Sequence, residues 1–400
     1  MPVAEESFRL SRIAVPAFGP TVLASLGHGA VLPVLALTAR DLGASVGMAA
    51  LTVALLGVGQ LAAALPSGAL AARIGERRAL MVAAVVEGAA MTAALFAGTV
   101  WVLAAAVLAL GMAGALFNLA RQAYLTEVVP VSMRARALST LGGVHRIGLF
   151  VGPFVGAAVV SWWDLRAAYA VAVAASAAAF LLVLVLPDLT AGHERAAAAG
   201  PRRSVRSVLV EHRRTLVTLG SGVLTIAAAR GARTSLLPLW AEHIGLSATD
   251  TALVFGIAGG LDMLLFYPAG AVMDRFGRVW IAVPTVVVLG VGMAALPLTS
   301  SMPSLTVVAL LMALGNGIGS GIVMTLGADA APPDARPQFL GGWRLFVDSG
   351  IAGGPLLVSA ITVVAPLAAA CVVLGGVALA GGAWLARWVP HYDPVRRASS

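Results

Sequence analysis

Twelve runs of apolar residues dominate this chain, each close to the roughly 20 residues a helix needs to cross the hydrocarbon core of a bilayer. They fall near 13–39, 46–72, 79–98, 100–124, 136–161 and 165–187, then near 215–241, 250–273, 279–299, 303–328, 338–363 and 366–389. No water-soluble arrangement suits them. Sixty per cent of the residues are hydrophobic and 11% are charged, whereas a soluble domain carries about 25% charged residues. The solvent for most of the chain must be lipid, and the expected fold class is an all-α polytopic membrane protein with twelve transmembrane helices. Most connections are a few residues long, which makes neighbouring spans antiparallel. The segment 188–214 is the exception: it is polar and holds Arg195, Arg202, Arg203, Arg206, Arg213 and Arg214. It reads as a basic cytoplasmic linker, 189–214, between halves at 1–188 and 215–400.

All 26 basic residues are Arg, and the net charge is +8. Such a balance can mark a nucleic-acid surface, but these Arg lie mainly in short loops between spans. With both termini in the cytoplasm, 19 fall in cytoplasmic segments, two (Arg40 and Arg166) in outer loops and five within spans. This is the positive-inside bias of a membrane protein. It places the chain in a cell (inner) membrane with both termini and the linker cytoplasmic, and nucleic acid is not an expected partner. The polar start carrying Arg9 and Arg12 could open a secretory signal, but the many later spans favour an uncleaved first helix. Cys371 is the single cysteine, which excludes an intrachain disulfide and a Cys-based zinc cluster.

The halves repeat. Pro66-x-Gly68 matches Pro268-x-Gly270, Arg73-x-Gly75 matches Arg275-x-Gly277, Pro130 and Arg134 match Pro332 and Arg336, and Gly152-Pro153 matches Gly354-Pro355. One offset, 202 residues, relates every pair. The expectation is two pseudo-symmetric six-helix bundles related about the membrane normal, a repeat arrangement that transporters use.

Between the second and third spans the chain reads Gly68-Ala-Leu-Ala-Ala-Arg73-Ile-Gly75-Glu-Arg77-Arg78, and between the eighth and ninth Gly270-Ala-Val-Met-Asp274-Arg275-Phe-Gly277-Arg278. Both segments resemble the cytoplasmic loop signature of the major facilitator superfamily: a tight turn permitted by glycine that leaves cations at the lipid–cytoplasm boundary. The first copy has Ala72 where the family usually has Asp, so the latching role that the resemblance gives this acid would rest on Asp274. Glu127 and Asp329, which close the fourth and tenth spans, are similar to the family acids that pair with the loop arginines; Glu127–Arg73 and Asp329–Arg275 are the expected pairs. The fifth span reads Gly148-x-x-x-Gly152-Pro153-x-x-Gly156 and resembles the signature of the family's twelve-helix drug:proton antiporters, the multidrug efflux group. Glycines four apart make one smooth face for close helix approach, and the proline favours a bend. Ordinary packing in a Gly-rich protein is the rival reading, and Ala157 stands where a further Gly is common. The eleventh span carries a partner, Gly350-x-x-Gly353-Gly354-Pro355.

Ionisable residues within spans are functional candidates by default because they are costly there. Asp262 in the eighth span and Arg146 in the fifth lie at similar depth. The resemblance packs those two helices together, so an Arg146–Asp262 pair that opens and closes in the cycle is expected, with a static pair as the alternative. Arg344 and Asp348 are four apart and can meet on one helix face. Glu87 has no evident local partner. Asp262 is the first candidate for proton coupling and Asp348 the second. His28, Gln60, Asn118, Arg121, His145, Arg230, Arg233 and Asn316 are polar residues in spans. Singly each suits an interhelical hydrogen bond; together they surround the place where the resemblance puts the substrate.

Enzymatic readings find little. Without Lys there is no Gly-x-x-x-x-Gly-Lys phosphate loop, no Cys/His cluster has metal spacing, and the Gly-x-Gly pairs such as Gly317-Ile-Gly319 lie in lipid-length runs as packing glycines. No cofactor or metal is expected. The spans hold five Arg against three acids and the first span has no acid, which favours a neutral or anionic substrate over an organic cation. The expected function is proton-coupled efflux of a small amphiphilic molecule by alternating access, with protons, lipid bilayer and a small-molecule substrate as partners and a monomeric state. A proton-coupled uptake symporter and, from another class, a non-transporting membrane sensor are the alternatives.

Overall fold

The computed structural model describes residues 14–129, 134–185, 205–319, 321–332 and 335–393. Among them there is no strand, and twelve helical spans are long and apolar enough to cross a membrane. The first six are α1 (Ala14–Asp41), α2 (Val46–Ile74), α3 (Glu76–Leu95), α4 (Val100–Val128), α5 (Arg134–Trp162) and α6 (Ala167–Val185). After a short helix α7 (Val205–Glu211), the seventh span runs through α8 (Arg213–Thr215), a π turn at Leu216–Gly220 and α9 (Ser221–His243). α10 (Ala248–Phe276) and α11 (Val279–Ala295) follow. The tenth span is broken into α12 (Met302–Ile318) and α13 (Ile322–Ala330), and α14 (Arg336–Val364) and α15 (Leu367–Tyr392) complete the set.

The chain forms two compact units. One holds the described residues to Leu32 and those from Ala62 to the end of α6; the other holds Pro33–Leu61 and everything from α7 onward. The boundary between these units cuts α1 and α2 in mid-helix. Arg195, Arg202 and Arg203 lie outside the described residues, but 205–211 is helical and belongs to the second unit. Val208 is fully buried in a cluster with Phe339 and Trp343, and the His212 ring meets Phe339 edge-on at 5.8 Å. Val208 and His212, four apart, share one helix face, and that face docks on α14.

The 202-residue repeat reappears in the packing. In the first unit the glycine face of α5 lies on α1. A methyl group built on Gly152 would sit 2.5 Å from the Leu26 carbonyl oxygen and 2.7 Å from Ala30 N, one on Gly148 2.8 Å from the Val22 oxygen, and one on Gly156 2.9 Å from the Ala30 oxygen. In the second unit the face of α14 lies on α9, where a methyl group on Gly354 would collide with the Ala228 oxygen, Ala232 N and Gly231 C. Each of these partners is the 202-offset copy of its counterpart (26 and 228, 30 and 232). The smooth face is thus a backbone-to-backbone helix contact made twice.

Within the loop signatures only one glycine of each copy makes the turn. Gly75 has φ 88° and Gly277 φ 97°, backbone that L side chains rarely adopt. Gly68 and Gly270 sit inside α2 and α10, and a methyl group on Gly270 would meet open space. The motif therefore splits in its tolerance. Gly277→Ala forces strain, about 1–3 kcal/mol for such backbone, and pushes its methyl group into the Asp393 carboxylate, which accepts the Arg278 backbone N–H at 2.7 Å. Gly270→Ala gains helix propensity of about 0.8–1.0 kcal/mol. Thermal unfolding in detergent is expected to fall by several degrees for the first and to hold or rise for the second; equal shifts would contradict the assignment.

Candidate transport site

Polar side chains of the second unit converge where the tenth span breaks. α12 ends at Ile318 and α13 restarts at Ile322; at the interruption Gly319 N–H donates to the Gly315 carbonyl at 3.3 Å and Ile322 N–H to the Gly319 carbonyl at 3.2 Å. Arg230 of α9 donates a guanidinium N–H to the Gly319 carbonyl, placing a cation at the negative end of the α12 dipole. Arg233, one turn further along α9, donates from Nη1 to Asp262 Oδ2 on α10 at 3.0 Å. Asn316 Nδ2 of α12 donates to the same oxygen at 3.0 Å. Gly317 makes this approach possible, since a methyl group there would lie 3.0 Å from Asp262 Cα. The Arg233 and Asp262 side chains are only 12% and 17% exposed, and Asp262 Oδ1 is buried with no hydrogen-bond partner. Trp343 fixes the far side of the break, with Nε1 donating to Val323 O of α13 at 3.0 Å. Transporters place substrate and ion sites at interrupted helices.

The first unit has its own buried polar group. Glu87 of α3 is 1% exposed, and the partner its sequence neighbourhood hides is His28 of α1, whose Nδ1 lies 3.8 Å from Oε1. One turn earlier on α1, Ser25 hydrogen-bonds His145 Nδ1 of α5. Arg121 of α4 stands over the Phe117 ring, 6.0 Å from its centroid. Asn118 on α4 is half-buried, as is Gln60 on the stretch of α2 that belongs to the second unit.

Several expected pairings come out differently. Within its own unit Asp262 pairs with Arg233 and Asn316; its expected partner Arg146 belongs to the other unit. Two residues placed among cavity candidates are thus ligands of the coupling candidate, because α9, α10 and α12 cross at one level. Asp329 pairs with Arg278 at 2.9 Å, not with Arg275. The left-handed Gly277 reverses the chain, so Arg278 folds back toward α13 and also donates to Met273 O at 2.8 Å, while Arg275 is exposed and stacks over Phe276 at 5.2 Å. Arg77 closes the end of α6 by donating to the Val183 and Leu184 carbonyls; Arg73 and Arg78 are exposed. The side chains of Glu127 and Asp274 lie outside the described residues. Arg344 and Asp348 do meet, Nε to Oδ1 at 3.0 Å. The sequence signal at the interruption is Gly315-x-Gly317-x-Gly319-x-Gly321.

Among the described residues no group of three or more His, Cys, Asp or Glu could hold a metal ion. The comparisons with known proteins agree with this architecture. The chain is 26% identical over 392 residues to multidrug resistance protein MdtH of Klebsiella pneumoniae, covering 94% of each chain. It is 24% identical over 319 residues to the uncharacterized MFS-type transporter YhjO of Bacillus subtilis, covering 79% of this chain and 78% of that one. Among solved structures, a POT family transporter in complex with a thioalcohol-conjugated peptide superposes with a TM-score of 0.79 at 13% identity over 96% of both chains. The nucleoside transporter NupG superposes with a TM-score of 0.74 at 11% identity, over 92% of this chain and 98% of that one. At such identities the structures speak for the fold alone. The Major Facilitator Superfamily model matches residues 18–355 and 219–400, so this chain belongs to the Major Facilitator Superfamily, a transporter of small molecules and not an enzyme.

Proposed function

We propose that this transporter expels a small amphiphilic molecule, neutral or anionic, in exchange for protons. It works by alternating access between halves at 1–188 and 215–400, as a monomer in the cell (inner) membrane with both termini cytoplasmic. The observation that carries the reading is the Asp262 carboxylate, held on one oxygen by Arg233 and Asn316 beside a broken helix. Exchange requires that substrate and proton exclude one another. Oδ1 supports this: a proton, or an N–H or O–H of the substrate, would use the same unoccupied lone pairs. Arg230 and Arg233 against one acid disfavour a simple organic cation. The efflux direction draws on the relatives named as multidrug resistance proteins.

The test follows a pH-sensitive dye in everted, energised vesicles while a chemically varied panel is added. Some neutral or anionic amphiphiles are expected to discharge the proton gradient only when the protein is present. Discharge by organic cations alone would overturn the substrate class, and protein-dependent uptake into right-side-out cells would overturn the direction.

A further inference from the structure

Within the second unit the seventh span and α15 meet at one membrane boundary. The seventh span begins there at Arg213, and α15 ends there at Tyr392. Thr218 ties the two ends together. Its carbonyl accepts the Trp384 indole N–H at 2.8 Å, and its hydroxyl lies 3.1 Å from the Tyr392 hydroxyl. The same hydroxyl donates to the Arg214 carbonyl one turn earlier, at 2.8 Å. The two helices run antiparallel, so Arg214 lies level with Trp388, one turn beyond Trp384.

Trp384, Trp388 and His391 fall on one face of α15 and touch in series, with ring centroids 5.8 and 5.6 Å apart. Arg387 lies over the Trp388 ring at 5.5 Å, and its Nη1 is 3.3 Å from His391 Nε2. On the membrane side of this ladder Trp384 is 41% exposed and Val217 61%. At its outer end Arg213, Arg214 and Arg387 are all exposed. The surface thus passes from apolar to cationic within about two helical turns. Among the described residues of these two helix ends, the acids are Glu211 and Asp393. Glu211 is exposed, while Asp393 is buried and accepts the Arg278 backbone N–H. Three arginines therefore face one exposed carboxylate.

Tryptophan at a membrane boundary anchors a helix in any lipid, and that alone would not call for clustered cations. Here the Trp384 N–H is already spent on Thr218, which leaves its ring face for an acyl chain. A group lying at the depth of the arginines is a headgroup phosphate, whose oxygens suit a guanidinium. A zwitterionic headgroup also brings a cation, which three arginines repel; an anionic one does not. Basic sites between spans hold anionic headgroups in this way.

We propose that this corner binds an anionic phospholipid, with a phosphatidylglycerol-type headgroup between Arg387 and Arg214 and an acyl chain against Trp384 and Val217. The inference rests on the spans lying in a membrane and is independent of transport direction and proton coupling.

The test reconstitutes the full-length protein in phosphatidylcholine vesicles that carry a minor fraction of brominated lipid, and reads tryptophan quenching. Brominated phosphatidylglycerol is expected to quench more than brominated phosphatidylcholine at the same fraction. That excess should vanish in Trp384→Phe/Trp388→Phe, which removes the reporters. Arg387→Gln and Arg214→Gln are each expected to cut the relative affinity about fivefold, the equivalent of ~1 kcal/mol per cation near an anionic surface. Arg78→Gln, an exposed arginine of the other unit, is expected to leave the excess unchanged. Equal quenching of the wild type by the two lipids would overturn the site and leave a plain aromatic anchor. An excess that survives loss of both tryptophans would place the lipid elsewhere, and an equal loss in Arg78→Gln would reduce the effect to overall charge; either overturns the proposal.

Discussion

Asp262→Asn is expected to abolish substrate-linked proton movement while the protein still folds. Asn has the shape of Asp and keeps an oxygen for Arg233 and Asn316, so the crossing of α9, α10 and α12 is preserved. The exchangeable proton site is lost. Arg233→Gln makes the complementary defect, a buried carboxylate with Asn316 as its one donor of the original two. Breaking a buried pair from one side costs about 3–5 kcal/mol, and the 12–17% exposure of these side chains places both single variants toward the lower end. The double variant Arg233→Gln/Asp262→Asn leaves no uncompensated charge, so its thermal stability is expected to return close to wild type. Its proton exchange is not expected to return. Thermal unfolding in detergent and the vesicle dye signal, taken together for the three variants, separate the roles. Recovery of both in the double variant would make the pair merely structural. Full exchange in Asp262→Asn alone would move proton coupling away from this carboxyl, with Asp348 and Glu87 the next to test.

Much of the architecture was legible because lipid leaves few options. Run length gives the twelve helices within a few residues, and the 202 offset matches Gly152 with Gly354; that they lie on Gly29 and Gly231 is a fact of the packing. The charged contacts were harder to read. Arg344–Asp348 is set by helix geometry alone and was found. Arg233–Asp262, His28–Glu87 and Arg278–Asp329 depend on which faces of separate helices meet at one depth, and spacing along the chain holds no record of that. The tenth span is the instructive case. Its alternate glycines were read as packing surface, and Gly315 and Gly317 do pack, on α11 and α10. The same glycines also lower helix propensity by about 0.8–1.0 kcal/mol each, and it is here that α12 gives way to α13.

The largest structural effects are expected at the two copies of the glycine face, and they bear on what the antiporter-like signature is for. A methyl group on Gly152 would meet the Leu26 oxygen at 2.5 Å and Gly29 C at 2.7 Å, and one on Gly354 meets the equivalent backbone of α9. Backbone on the facing helix has no rotamer into which to retreat, so each Gly→Ala change must separate two helices along their length. Overpacking of this kind costs about 1–3 kcal/mol, and further loss comes from every contact that the separation loosens. Gly152→Ala and Gly354→Ala are each expected to lower the yield of folded protein and the transport rate by about tenfold, the scale of a 1.4 kcal/mol change. Gly143→Ala and Gly353→Ala, where the added methyl group meets nothing within 4 Å, are expected to behave as wild type. Both face positions should fail alike, since their surroundings are copies. If proton exchange per folded molecule collapses for Gly152→Ala but survives in Gly354→Ala, the α5 glycines have a coupling role that packing does not explain. Equal losses would make the signature a packing device that the eleventh span shares.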